Sequence, residues 1–330
     1  MLGQESGREM KVLIFGGTRF MGRYLLNSLL SIGAEVTVAN RGNNPPNEGS
    51  TNVICDRSQP DALDQFKDAQ FDVIVDFSAY SSEWVAAAGK FFANKISKYV
   101  FISSGAVYSN SDVFPITEDF PLGPPHPFAP YASEKLKSER LLVEFSKSGY
   151  FHTVSCRLPF VLGPHNYEDR ESFVFSRLMR NEPILLANGG QSVHPFVYAG
   201  DVAGAILALI KAGASVNGES FNVASPQGVT SSGFVNIAAK VCSKEAKIIS
   251  YSPAEFDLDV NDFDLKNVTF PFPAMNALLS SEKLTRMTGF RPKENLESMF
   301  RIYFDWWKGL DNQGPKEYPL ERRLLAEMGK

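Results

Sequence analysis

The chain has 330 residues, 44% hydrophobic and 21% charged, with a formal net charge of −4 and an isoelectric point near 5.7. That composition suits a globular protein, and the length allows one large α/β domain or a core with a smaller lobe. An acidic balance without polybasic runs argues against nucleic-acid or membrane-surface binding, and no apolar run is long enough for a membrane span.

Cys55, Cys156 and Cys242 stand far apart and form no CxxC or Cys/His cluster. Neither a disulfide framework nor a metal site is expected from them, and a reducing, cytoplasmic compartment fits. The opening "MLGQESGREM" (1–10) is polar and lacks an apolar run after a basic start, so it reads as a flexible tail.

From Lys11 onward two periods alternate. "KVLIF" (11–15), "EVTVA" (35–39), "TNVIC" (51–55), "DVIVDF" (72–77), "YVFIS" (99–103) and "HTVSCRL" (152–158) are short apolar runs. Runs apolar at nearly every position suit strands covered on both faces, as in a parallel sheet. Helical stretches separate them at 20–33, 82–95 and 132–149, and "PLGPPHPFAP" (121–130) is a rigid loop. This rhythm predicts right-handed βαβ units and a doubly wound Rossmann sheet over 11–160.

After residue 160 the rhythm degrades into loops and short elements. A loop covers 161–173, a short helix 173–182, and "ILLANGGQSVHPF" (184–196) suggests a hairpin. "PFVYA" and the helix "AGDVAGAILALIKAG" follow, and "ENLESMFRIYFDWW" (294–307) is expected to be the last helix. Residues 161–330 are thus expected to form mostly a small substrate-binding lobe, with 195–212 returning to the core.

The first strand runs into "GGTRFMG" (16–22), which opens a helix. Glycines there let the backbone turn sharply and approach a pyrophosphate at the helix N-terminus. Gly16, Thr18, Arg19, Phe20, Met21 and Gly22 are therefore cofactor candidates, with Arg19 standing where a middle glycine is usual. The second strand ends at Asn40 and Arg41, not at the acidic residue that normally meets a ribose 2′-hydroxyl. Arg41 and Arg19 suit a 2′-phosphate by charge and fork geometry, which favours NADP over NAD; otherwise Arg41 simply faces solvent. Asp56 in "ICDRS" is a candidate for the adenine amino group.

"YASEK" sets Tyr131 and Lys135 at i and i+4, on one helix face. A phenol is a poor base at neutral pH, but a nearby ammonium favours the phenolate. Tyr131 could then move a hydroxyl proton while hydride moves on the cofactor. "YVFISSGAVYS" brings Ser103 and Ser104 to a strand C-terminus, where ligands sit in such sheets.

The turn "GGTRFMG", the strand end "ISSGAVY" and the Tyr131/Lys135 pair resemble the short-chain dehydrogenase/reductase superfamily. "CRLPFVLGP" and "FVYAGDVAGA" resemble its extended or atypical branch, the NAD-dependent epimerase/dehydratase-like proteins. The resemblance runs from about Lys11 to the last expected helix. It implies Tyr131 as acid/base, Ser104 as partner of the reacting oxygen, and Lys135 on the nicotinamide ribose. It also implies Ser78 and Ala79 in the cofactor wall, Pro159 beside the nicotinamide, and a homodimer through the helices at 82–95 and 132–149.

Two further departures bear on the substrate. Phe160 stands where nucleotide-sugar enzymes of this branch carry Asn, and His194 where they carry a diphosphate-binding Arg. Phe160, His165 and His194 are the candidate substrate contacts, alongside Ser104 and Tyr131. The resemblance implies an NADP-dependent oxidoreductase or epimerase acting on a secondary hydroxyl or ketone of a sugar or sugar-like compound. The "GGTRF" turn also resembles chloroplast stem-loop RNA-binding proteins, and a redox sensor that binds NADP without turnover is a third reading.

Overall fold

A computed structural model describes residues 9–123, 129–258, 269–310 and 318–329. The expected tail (residues 1–8) and the centre of the proline-rich loop (124–128) lie outside the described residues. The chain runs β1 (Lys11–Phe15), α1 (Met21–Ser31), β2 (Glu35–Asn40), β3 (Thr51–Ile54), β4 (Val73–Asp76), α2 (Ser82–Phe91), β5 (Lys98–Ser104), α3 (Ala129–Lys147) and β6 (His152–Leu158). It continues with β7 (Phe160–Leu162), α4 (Glu171–Arg180), β8 (Pro183–Ala187), β9 (Val193–Tyr198), α5 (Ala199–Lys211), β10 (Glu219–Asn222), β11 (Gly228–Thr230) and α6 (Ser231–Val241). β12 (Lys247–Tyr251), α7 (Glu282–Thr288), α8 (Leu296–Trp307) and α9 (Pro319–Glu327) complete it.

Seven strands form the central sheet in the order β10-β6-β5-β4-β1-β2-β3. Every neighbouring pair is parallel, with β1 between β2 and β4. Successive side chains of β1 point to opposite faces. Val12 and Ile14 join α1 and α5 residues such as Leu25, Leu29 and Ile206 in one core, while Leu13 and Phe15 join Val85 and Phe92 in another. Both layers are buried, which explains why the strands are apolar at nearly every position. The strand order reverses between β1 and β4, and this leaves a crevice at their C-terminal ends.

Two expectations need correction. β8 and β9 do not form a hairpin: β8 pairs in parallel with β12, and β9 lies between β7 and β11. The turn between them holds Asn188, Gly189 and Gly190 all at positive φ, which carries the chain away from β8. The helix at 294–307 is not the last. α9 follows, burying Leu320 and Leu324 and pairing Glu321 with Arg177. Among the described residues, no helix is long and apolar enough to cross a membrane.

Candidate active site

A cleft of about 840 Å³ opens at the crevice, lined at one end by the β1–α1 turn and at the other by Ser104 and Tyr131. The turn is fixed by backbone. Gly16 and Gly17 have φ of 82° and 77°, and the Gly16 N–H donates to the Ala39 carbonyl at 2.8 Å. A Cβ on Gly22 would stand 2.1 Å from the Gly17 Cα, so only glycine allows α1 to start here. Thr18, Phe20 and Met21 line the cleft, and Phe20 holds φ at 45°. Arg19 also lines it, but its Cζ sits 4.4 Å from the ring centre of Tyr167, on the loop before α4.

Asn40 and Arg41 line the same end. The Asn40 Oδ1 accepts the Gly42 N–H at 2.7 Å, while Arg41 is exposed. Asp56, Ser78 and Ala79 are not brought to the lining. The Asp56 carboxylate accepts the Ser58 N–H and O–H at 3.1 and 2.8 Å, which lowers its pKa. Ser78 packs behind Gly16 and Ala79 is buried in the α2 layer; their neighbours Phe77 and Tyr80 reach the cleft instead.

Ser104 ends β5, and Tyr131 and Lys135 sit one turn apart on α3. The buried Lys135 Nζ donates to the Ile102 carbonyl at 2.8 Å and lies 5.6 Å from the Tyr131 ring centre. Burial lowers the Lys135 pKa to about 8, partly opposed by the charge of Asp76. Desolvation by the surrounding cleft raises the Tyr131 pKa to about 12 although the residue is 42% exposed, against a lowering hydrogen bond from Ser104. Alternation along β5 turns Ser103 the other way. Its hydroxyl donates to Glu139 Oε1 at 2.5 Å, and Glu139 holds Arg157 at 2.7 Å. A closed polar network thus braces the strand end that carries Ser104.

Pro159, Phe160 and His194 line the substrate end. His194 is 1% exposed, its Nε2 pairs with Ser231 Oγ at 2.8 Å, and burial lowers its pKa to about 4. It is therefore neutral at pH 7 and supplies no charge for a diphosphate. His165 is not part of the lining: at φ 66° it turns its ring to Trp306, 5.0 Å away between centres. The sequence reading missed Tyr80, Tyr167 and Arg170, which all line the cleft. Tyr80 lies two residues beyond Ser78, and Arg170 was visible only as one charge in a polar loop.

The sequence profile of the NAD dependent epimerase/dehydratase family matches residues 12–224. The chain belongs to this family. Within the epimerase/dehydratase family and its surroundings, it is 30% identical over 309 residues to the chloroplast stem-loop binding protein of 41 kDa b from Arabidopsis thaliana, covering 87% of this chain and 76% of that protein. It is 23% identical to the human dTDP-D-glucose 4,6-dehydratase, over 93% of this chain and 92% of the relative. A UDP-glucose 4-epimerase from Thermotoga maritima, solved with UDP-glucose, superposes with a TM-score of 0.75 at 18% identity, covering 91% of this chain and 99% of that one. A dTDP-glucose 4,6-dehydratase from Bacillus anthracis, solved with NAD, gives 0.74 at 18% identity, covering 91% and 96%. At these identities the two structures speak for the fold.

Proposed function

We propose that this epimerase/dehydratase-family chain is an NADP-preferring oxidoreductase or epimerase acting on a secondary hydroxyl or ketone of a sugar or sugar-like substrate. What supports the reading is the convergence of Ser104, Tyr131 and Lys135 on one cleft with the glycine turn. The donor set suits a nicotinamide dinucleotide. The turn from Gly16 to Gly22 would face its pyrophosphate, Asn40 and Arg41 its adenosine ribose, and Lys135 with Pro159 its nicotinamide end. When bound, that group supplies the hydride acceptor or donor and, oxidised, a positive charge beside Tyr131.

The chain's own residues handle the proton. The Ser104 hydroxyl holds the reacting oxygen, and the Tyr131 hydroxyl takes or gives its proton. A phenol with a pKa near 12 is a better acid than base at neutral pH. The Lys135 ammonium, and the cofactor charge when present, bring it toward balance. Turnover would be sought by screening sugars and sugar derivatives with NADPH and NADP, following nicotinamide absorbance. Mass spectrometry would catch epimerisation without net redox change. No turnover, together with NADH binding tighter than NADPH, would overturn the reading. A homodimer through α2 and α3 belongs to the same proposal, and light scattering tests it.

One observation favours a second reading. The Arabidopsis relative is named for stem-loop binding, so this chain would bind RNA without turnover. Retention of salt-sensitive stem-loop RNA binding by a Tyr131→Phe variant, with no turnover by the wild type, would favour it.

A further inference from the structure

Four arginines extend guanidinium groups into the protein, and three of them meet a carboxylate. Arg57 pairs with Asp76, Arg157 with Glu139 and Arg177 with Glu321. Arg170 does not: among the described residues its guanidinium makes no ion pair or hydrogen bond, and its recorded contact is the face of Phe160, 5.1 Å from Cζ to ring centre. The adjacent Glu171 is already engaged, accepting the Gly163 N–H at 2.6 Å and the Asn166 amide at 2.8 Å. Glu168 and Glu171 act on Arg170 only through space. Taking a cation partly out of water without a partner is costly, so a lone half-buried guanidinium in a cleft calls for an anion from outside the chain.

The surroundings narrow where that anion sits. Phe160 is itself held edge-on by Phe272 at 4.9 Å, so the surface under the guanidinium is fixed. Arg170 and Tyr131 line the same cleft, and the guanidinium favours the ionised form of the phenol through space. The lining also includes Pro195, Pro273, Met275, Asn276 and Leu279, and no Lys or Arg stands among these described residues. His194 there is neutral. Among the described residues that line the substrate end, Arg170 is therefore the one cation, and it acts through space on Tyr131 at the reacting centre.

We propose that Arg170 is the anion-binding residue of the substrate half, and that it grips a phosphoryl group attached directly to the sugar that reacts at Tyr131. A guanidinium fork matches two phosphoryl oxygens, and stacking on Phe160 leaves its N–H edges free to make both bonds. The group belongs either to a sugar monophosphate or to the sugar-linked phosphate of a nucleotide sugar. This rests on the cleft assignment above but needs no turnover.

The test is calorimetric titration of the NADPH-saturated protein with glucose 1-phosphate, UDP-glucose and glucose, using wild type, Arg170→Gln and Arg170→Lys. Wild type is expected to bind at least one phosphorylated probe at least about 10-fold tighter than glucose, as a charge-assisted pair would give. Arg170→Gln should remove that margin and Arg170→Lys, which keeps the charge without the fork, should restore part of it. Tighter binding of glucose 1-phosphate than UDP-glucose identifies a monophosphate substrate, and the reverse identifies a nucleotide sugar. Equal binding of the three probes by wild type, or an unchanged margin in Arg170→Gln, overturns the proposal. If Arg170→Gln does not fold, an Arg170→Lys margin equal to that of wild type for both phosphates counts against the fork. Failure of the catalytic reading looks different: phosphate-dependent binding persists while no substrate turns over.

Discussion

The two loops that meet across the cleft, Gly16–Gly22 and Gly163–Arg170, are built in opposite ways. The first is held by its own backbone, where Gly17 and Gly22 touch at a distance no side chain could share. The second is held by side chains, most of them its own and one from the start of a distant helix. Glu171 ties Gly163 to Asn166, Asn166 Oδ1 accepts the Glu168 N–H, and Asp169 accepts the hydroxyl of Tyr318, 149 residues away. One loop lines the cleft along its glycine backbone, and the other lines it with Tyr167 and Arg170. A backbone-built loop suits a constant ligand, while a side-chain-built loop can be rewritten for a new one without disturbing the sheet.

The contrast predicts unequal costs. Gly22→Ala drives a methyl into the Gly17 backbone and should cost about 4 kcal/mol, with loss of nucleotide binding. Thermal unfolding and NADPH titration check both, and a variant of normal stability would mean the turn is softer than its geometry. Tyr131→Phe, in the wall between the loops, should lower turnover of a discovered substrate by about 10²–10⁴-fold with stability nearly unchanged. Intact turnover would remove Tyr131 from the mechanism.

The substrate-side loop should depend on pH where the glycine turn does not. Burial raises the Glu171 pKa from 4.5 to about 7, so the folded protein keeps this proton longer than the unfolded chain. The contribution is fully present below pH 4.5 and is lost as pH rises through about 7, on the order of 3 kcal/mol in all. Glu171→Gln cannot titrate, so its stability relative to wild type should rise across that window. Denaturant unfolding at pH 4.5, 6 and 8 reads the difference, and parallel curves would mean the carboxyl stays ionised in the fold.

The same contrast explains what was legible in the sequence. The central sheet could be read because strands covered on both faces must be apolar at every position, and the glycine turn because its chemistry is local. Tyr131 and Lys135 stand at a helical spacing that is common by chance, and only the strand end at Ser104 and the glycine turn singled the pair out. Arg170 could not be read, because its meaning lies in a missing partner, and only packing shows that Glu171 is spent on Gly163. His194 was legible as a lost arginine but not as a neutral ring, since Ser231 and the Phe272 layer reach it from distant segments. The false hairpin at 184–196 arose because a glycine turn between two apolar runs looks the same whether the strands pair with each other or with others.

Arg19 belongs to both loops, and the smallest expected effect tests which one governs it. Its side chain leaves the glycine turn and stacks on Tyr167, while Phe20 meets the same ring edge-on at 6.4 Å between centres. If Arg19 serves a 2′-phosphate, it must release Tyr167 when the cofactor binds. Exchanging an exposed cation–π contact, worth about 0.5–1 kcal/mol, for a charge-assisted phosphate contact leaves a net gain of about 1.4 kcal/mol, or tenfold. Arg19→Gly should then weaken NADPH binding about tenfold and NADH binding little, and Tyr167→Leu should strengthen NADPH binding slightly by removing the competing ring. Equal losses for both nucleotides in Arg19→Gly, with weaker binding of both in Tyr167→Leu, would mean that Arg19 and Tyr167 act together as a clasp over the shared part of the cofactor. NADP preference would then rest on Asn40 and Arg41 alone.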